Sequence, residues 1–112
     1  MTYFFVSIII LAMMTLRNSQ KKEIMVKATR YVGEVLTYYK VVGGWQDTEI
    51  FKASGVSNNR LTEYKNFDKY NVPVSVASLK RLIQNGFVDP DKLIELETLT
   101  REEKTYLKQL LN

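Results

Sequence analysis

The sequence contains neither cysteine nor histidine, and only two of its 112 residues are proline. The lack of cysteine excludes disulfides and thiolate nucleophiles, and the lack of histidine removes the most common general base and a frequent metal ligand. A catalytic centre of the Ser-His-Asp or Cys-His kind is therefore impossible, and we predict that the protein is not an enzyme and needs no metal or cofactor. A chain without cysteine also suits a reducing compartment, and we predict a cytoplasmic location.

The composition is typical of one small globular domain with an uneven charge distribution. Hydrophobic residues make up 46% of the chain and charged residues 25%, which is enough for one modest core. The net charge is +4, but residues 27–85 hold nine basic and five acidic side chains, whereas residues 86–112 hold four basic and six acidic ones. A basic middle suggests that this part meets an anionic partner such as nucleic acid.

Residues 1–16 carry no charge and are almost wholly apolar, which predicts an apolar leader helix. Such a helix spans about 24 Å, short of the roughly 30 Å of a bilayer core, and snorkelling by Arg17 would close the gap. One interpretation of residues 1–24 is therefore a membrane anchor, with residues 1–16 in the membrane. The basic residues Arg17, Lys21 and Lys22 then place the remaining chain on the cytoplasmic side of the inner membrane.

A second interpretation is that residues 1–24 belong to an over-extended reading frame. The codons for Lys21 to Met25 permit the sequence AAGGAG just upstream of an ATG codon, which would be a bacterial ribosome-binding site. Translation would then start at Met25. Under either interpretation we predict the folded domain over residues 25–112.

From residue 25 onward, apolar residues recur at helical spacing and no strand-like alternation is sustained. The first apolar stripe predicts a helix that Gly43-Gly44 ends, and it consists of Ala28, Tyr31, Val32, Val35, Leu36 and Tyr39. Asp47 is the predicted N-cap of a second helix that extends to Ser54 and ends at a left-handed Gly55.

Further capping signals predict the remaining helices. The predicted N-terminal signals are Ser57, Ser75, Asp89-Pro90 and a capping box of Thr100 with Glu103. We predict a third helix from Asn58 to about Asn66, a loop over residues 67–74, and a fourth helix that Asn85-Gly86 ends. The sequence therefore predicts an all-α fold, a small bundle of five to six short helices behind the leader, with a C-terminal helical extension.

The segment 47–65 reads DTEIFKASGVSNNRLTEYK and has the pattern of a helix-turn-helix. Two short helices that cross steeply need a glycine in the turn, here Gly55, and an apolar residue in the corner, here Val56. The predicted core contacts of the two helices are Ile50, Leu61 and Tyr64. Ser57 caps the second helix, whose free amides would then face a phosphate or a DNA groove.

This motif resembles the lambda-repressor-like family, especially small phage regulators of the CII type, over about residues 47–83. The resemblance implies that the helix after Ser57 is a recognition helix in the major groove of DNA. The family usually has alanine or glycine four residues before the turn glycine, where the two helices touch. Here that residue is Phe51, for which we expect a wider crossing or a rotated helix.

Polar side chains on the outer face of the motif are the predicted DNA-binding residues. They are Ser57, Asn58, Asn59, Arg60, Thr62, Glu63 and Lys65. Asparagine pairs with adenine, arginine with guanine or a phosphate, threonine with a thymine methyl group, and glutamate with cytosine. The predicted phosphate contacts are Lys52 and Lys69, and Lys80-Arg81 are further candidates.

The C-terminal segment adds an acidic helix and a possible dimer contact. We predict a solvated acidic face made of Glu95, Glu97, Glu102 and Glu103. The last helix carries Tyr106, Leu107, Leu110 and Leu111, which either cover the core of a monomer or form part of a homodimer or higher homo-oligomer through the C-terminal helices.

Two functions remain open from the sequence. The first is sequence-specific binding of double-stranded DNA by a transcriptional regulator of phage or bacterial origin. The alternative is a protein-binding module derived from a helix-turn-helix, which regulates a cytoplasmic or inner-membrane partner. Phe51, the modest net charge and Glu63 on the predicted reading face favour the alternative.

Overall fold

The structure is a computed structural model that describes residues 16–112, so the predictions made for residues 1–15 lie outside the described residues. Within the described part the chain forms seven helices and no strand. They are α1 (Asn18–Val41), α2 (Asp47–Ser54), α3 (Asn58–Lys65), α4 (Phe67–Tyr70), α5 (Val76–Gln84), α6 (Pro90–Ile94) and α7 (Arg101–Leu111). The predicted all-helical class is confirmed.

The side-chain caps explain why most of these helices begin where the sequence predicts. Ser57 Oγ accepts a hydrogen bond from the Arg60 N–H, and Ser75 Oγ accepts one from Ser78 at 3.1 Å. Asp89 and Thr100 cap α6 and α7 in the same way, and are joined to the N–H groups of Asp91 and Glu103 respectively. These bonds span two or three residues, so the local sequence determines them.

Two predictions about local structure are wrong. The predicted loop over residues 67–74 contains the single helical turn α4. The N-cap of α2 is Gln46 rather than Asp47, and the Glu49 carboxylate accepts from the Gln46 N–H at 3.1 Å. Asp47 does not cap the helix because its carboxylate binds lysines on two other helices.

The core runs the length of α1, which packs against α3 and α4 and is joined to α7 by the ion pair of Lys27 with Glu103. Its fully buried side chains include Ile24, Ala28, Val32, Leu36, Ile50, Leu61, Leu79, Leu82, Leu93 and Leu107. Helix α1 begins at Asn18 and continues without a break past Met25, so the predicted domain start lies inside this helix. Among residues 16–112, no helix has both the length and the apolar character that crossing a membrane requires.

A buried threonine fastens the segment before α5 to α1. Thr29 is fully buried, and its Oγ1 donates to the Met25 carbonyl oxygen at 2.6 Å and accepts from the Val74 N–H at 2.7 Å. The hydroxyl group therefore satisfies a buried backbone donor 45 residues away in the chain.

Glu103, predicted to be solvated, is instead buried between α7 and α1. Its carboxylate accepts from Lys27 Nζ at 3.0 and 3.2 Å and from the Thr100 N–H at 2.8 Å. Burial by itself would raise the pKa of Glu103, but the Thr100 hydrogen bonds and the Lys27 charge outweigh burial and lower that pKa from its ordinary value. The ionised form is therefore the one that the fold stabilises.

We expect acid to remove this contribution. A carboxyl group whose pKa is lowered in the folded state adds stability above its ordinary pKa of 4.5, and loses it as the pH falls through the lower, folded-state value. Glu103→Gln should reduce the free energy of unfolding at pH 7 by about 1–2 kcal/mol and flatten the acid limb of the stability profile. Urea titrations between pH 7 and about 3 measure both effects.

The matched control is Glu102→Gln, because Glu102 is the exposed neighbour on the same turn. This variant should keep the stability and the acid limb of the parent chain. An unchanged acid limb in Glu103→Gln would contradict the prediction.

Candidate nucleic-acid interface

Helices α2 and α3 are joined by a tight turn from Gly55 to Ser57. Gly55 has φ 79° and ψ 6°, the left-handed conformation that glycine adopts without a Cβ clash, as predicted. Its N–H donates to the Phe51 carbonyl oxygen at 2.8 Å and ends α2. Val56 is 2% exposed and fills the corner of the turn. The turn is therefore built from local signals that the sequence contains.

The inner side of the α2–α3 pair is buried in the core. Ile50, Leu61 and Tyr64 are the contacts that the sequence predicts, and each is at most 2% exposed. Sequence reasoning did not identify Ser54, which is also buried. Its Oγ donates to the Ile50 carbonyl oxygen at 2.6 Å and accepts from the Val56 N–H at 3.2 Å. This hydroxyl group therefore supplies a hydrogen-bond partner to the buried Val56 N–H at the turn.

A glycine in the middle of α1 allows α3 to lie directly against α1. A Cβ added to Gly33 would lie 2.5 Å from the Tyr64 carbonyl oxygen and 3.4 Å from the Lys65 Cα. Both atoms belong to the backbone, which cannot swing aside as a side chain can. Gly33 therefore sets how closely α3 approaches the rest of the molecule.

The N-terminal half of α3 faces solvent. The predicted contact residues Ser57, Asn58, Asn59 and Arg60 are all exposed, and Thr62 and Glu63 are half-buried. Ser57 is the N-cap of α3, and the other five residues lie on the helix itself. Phe51 has 43% of its surface exposed, so its ring lies at the surface rather than fully between α2 and α3.

Arg60 and Glu63 form an ion pair along α3. Arg60 Nη1 donates to Glu63 Oε2 at 2.8 Å, and the arginine side chain remains 53% exposed. An exposed pair of this kind adds little to stability, because water screens the two charges. Arg60 can therefore exchange Glu63 for a base or a phosphate at small cost.

Lys65 does not belong to the exposed face. Its side chain is 10% exposed, and Nζ donates to Asp47 Oδ1 at 2.6 Å, while Lys40 Nζ lies 3.4 Å from the other Asp47 oxygen. Burial lowers the pKa of Lys65, and Asp47 opposes that shift. Although burial would raise the pKa of Asp47, its lysine partners lower it. The cluster of Lys40, Asp47 and Lys65 ties α1, α2 and α3 together.

The predicted phosphate contacts lie on three different helices. Lys52 is exposed on α2, and Lys69 is exposed on α4, where its Nζ lies 5.1 Å from the centre of the Tyr70 ring. Arg81, on α5, is exposed, and its Nη1 lies 3.4 Å from the Gly55 carbonyl oxygen. Because Arg81 is 26 residues from Gly55, no local signal could have placed its guanidinium beside the turn.

In residues 16–112 no cluster of three or more potential metal ligands is arranged to hold a metal ion.

Comparison with known proteins identified no relative: no family model, no curated protein and no solved structure matches this chain significantly.

Proposed function

We propose that the protein binds double-stranded DNA in a sequence-specific manner and regulates transcription in a phage or a bacterium. In this proposal α2 and α3 act as a helix-turn-helix, with α3 in the major groove. The observation that carries the proposal is the two-sided character of α3. Its inner side is anchored by Leu61 and Tyr64, while its exposed N-terminal half presents Asn58, Asn59 and Arg60.

Each contact residue has a role that follows from its chemistry. The amides of Asn58 and Asn59 suit adenine, and Arg60 suits guanine once it leaves Glu63. Thr62, half-buried on the same helix, suits a thymine methyl group or a phosphate. In this arrangement the Glu63 carboxylate pairs with cytosine and repels the phosphates of the DNA backbone. Glu63 therefore makes binding more specific and lowers the overall affinity for DNA.

The phosphate contacts flank the reading helix. Arg81 lies beside the turn that precedes α3, and Lys52 and Lys69 extend the cationic surface from α2 and α4. Such contacts position the protein without reading bases. Lys65 acts as a positioning residue, since its ammonium group is held by Asp47.

The test combines selection of DNA from a random pool by the full chain with a double substitution, Asn59→Ala and Arg60→Ala. Each lost bidentate base contact costs about 1–3 kcal/mol, so specific affinity should fall by about 100-fold or more, and the fold should persist because both side chains are exposed. Mobility-shift titration on the selected sequence measures the loss.

The matched control replaces Gln84 and Arg101 by alanine, since both are exposed and lie on other helices. This double variant should bind like the parent chain. Specific binding that survives the Asn59/Arg60 double substitution would contradict the proposal, and so would a random pool that yields no enriched sequence.

A second candidate function, binding of a protein partner through the same face, is favoured by the pairing of Arg60 with Glu63 and by the half-exposed ring of Phe51. Salt dependence separates the two functions. A DNA binder loses affinity with a log–log slope of about −0.9 for each phosphate contact. A nearly flat response with millimolar affinity for DNA would favour the protein partner.

A DNA operator made of two half-sites would require a protein dimer. We propose that the two copies contact each other through their C-terminal helices. Tyr106 and Leu107 are buried within one chain, which leaves the half-buried Leu110 and Leu111 as the available apolar edge of α7. DNA binding also implies a location in the cytoplasm, either free or held at the inner membrane through residues 1–16.

A further inference from the structure

A cleft of about 380 Å³ lies along α1 on a different side from the α3 contact, facing the segment that leads into α6. We call it the tyrosine cleft. Its lining includes Tyr31, Glu34, Tyr38, Tyr39, Phe87 and Asp89. None of these residues belongs to the proposed DNA-binding face, so the cleft can be considered separately.

One wall of the tyrosine cleft is a packed aromatic cluster. The Tyr39 ring centre lies 5.2 Å from that of Phe87 and 6.2 Å from that of Trp45, and all three rings meet edge to face. The Tyr39 hydroxyl group donates to the Gly86 carbonyl oxygen at 3.3 Å. The wall is therefore held in place before any ligand arrives.

The rim of the cleft carries an exposed tyrosine and two carboxylates, of which the Asp89 carboxylate also accepts from the Asp91 N–H as the cap of α6. Tyr38 has 62% of its surface exposed. Within residues 16–112 neither Glu34 nor Asp89 forms an ion pair. Tyr31, Glu34 and Asp89 line the same cleft. Burial raises the pKa of Tyr31, and the negative charges of Asp89 and Glu34 raise it further.

Apolar surface continues from the cleft to the end of α1. Val41 is 78% exposed and Val42 is 65% exposed, and with Tyr38 they are the most exposed large hydrophobic residues in the described part of the chain. Three such side chains are far short of the roughly 800 Å² per partner that a standard protein interface buries. This surface suits a short segment better than a second copy of the chain.

We propose that the tyrosine cleft binds an arginine or lysine side chain of a protein partner, together with a neighbouring aliphatic residue that covers Val41 and Val42. A cation is attracted both by the faces of aromatic rings and by carboxylates. The same carboxylates repel nucleic acid and anionic lipid. Lys92 also lines the cleft, and its positive charge weakens the binding of a second cation.

The test uses two short peptides with the full chain, acetyl-Val-Arg-Val-Leu-amide and the same peptide with citrulline in place of arginine. Trp45 is the single tryptophan of the sequence, and its ring centre is 5.4 Å from that of Phe87 in the cleft wall, so its fluorescence reports binding there. We expect a dissociation constant of about 1 mM for the arginine peptide and roughly fivefold weaker binding of the neutral peptide.

Removing a carboxylate or the tyrosine from the rim should weaken peptide binding, whereas removing the lysine should strengthen it. Glu34→Gln combined with Asp89→Asn should weaken the arginine peptide roughly fivefold, and asparagine retains the helix cap that Asp89 provides. Tyr38→Ala should weaken it as well, whereas Lys92→Gln should strengthen it. Glu97→Gln removes an exposed carboxylate outside the cleft lining and should change nothing.

Equal binding of the two peptides would overturn the proposal, because the cleft would then recognise apolar surface alone. No change in Trp45 fluorescence at about 10 mM peptide would overturn it as well. Weakening by Glu97→Gln as large as that by the rim substitutions would show general attraction to acidic residues, which also overturns it. None of these outcomes bears on DNA binding by α3.

Discussion

Replacing Gly33 with alanine is expected to destabilise the protein, although the same change stabilises an ordinary helix interior by about 1 kcal/mol. The added Cβ would lie 2.5 Å from the Tyr64 carbonyl oxygen, so α1 and α3 would have to move apart. Overpacking of this kind costs about 1–3 kcal/mol and sometimes more. Because the new atom meets backbone, which cannot swing aside, we expect a cost near the upper end of this range and, after the helix gain is subtracted, a net loss of about 2 kcal/mol.

Urea unfolding measures this effect, and the thermal midpoint should fall by about 4–8 °C for each kcal/mol lost. Glu34→Ala is the control, because Glu34 is the exposed neighbour on the same helix and its replacement should change stability little. Under the proposed function, the Gly33→Ala variant should also bind DNA more weakly than the parent chain, since the altered contact displaces α3. A variant as stable as the parent chain would show that α1 and α3 do not approach as closely as described.

A chain that begins at Met25 is expected to be much less stable than one that begins at Leu16. The shorter chain lacks Ile24, which is fully buried in the core, and Lys21, whose Nζ lies 5.9 Å from the centre of the Tyr106 ring. It also lacks the first seven residues of α1, Asn18 to Ile24. Deleting one buried isoleucine side chain costs about 2–5 kcal/mol, and we expect at least that loss here.

Chemical unfolding of residues 16–112 and 25–112 measures the difference. Ile24→Ala in the full chain should reproduce much of it, whereas Glu23→Ala, at an exposed neighbour, should not. Equal stability of the two chains would contradict the prediction. A large loss of stability would argue against the interpretation that translation starts at Met25. Mass spectrometry of the N-terminal peptide from cells would test that interpretation directly.

The sequence by itself determined the local structure of this protein. The caps at Ser57, Ser75 and Thr100 and the left-handed turn at Gly55 depend on residues at most four positions apart. The spacing of Ile50, Leu61 and Tyr64 likewise reflects the helical repeat, which fixes the buried side of a helix wherever that helix packs. These features need no knowledge of distant partners.

Only the tertiary structure decided which polar residues are available for binding. Lys65 is held by Asp47, 18 residues away, Glu103 by Lys27, 76 residues away, and Arg81 lies beside Gly55, 26 residues away. A charged residue on a polar helix face looks the same in the sequence whether it faces water or an opposite charge. The fold distinguishes the two, because a charge leaves water only where another part of the chain supplies its partner.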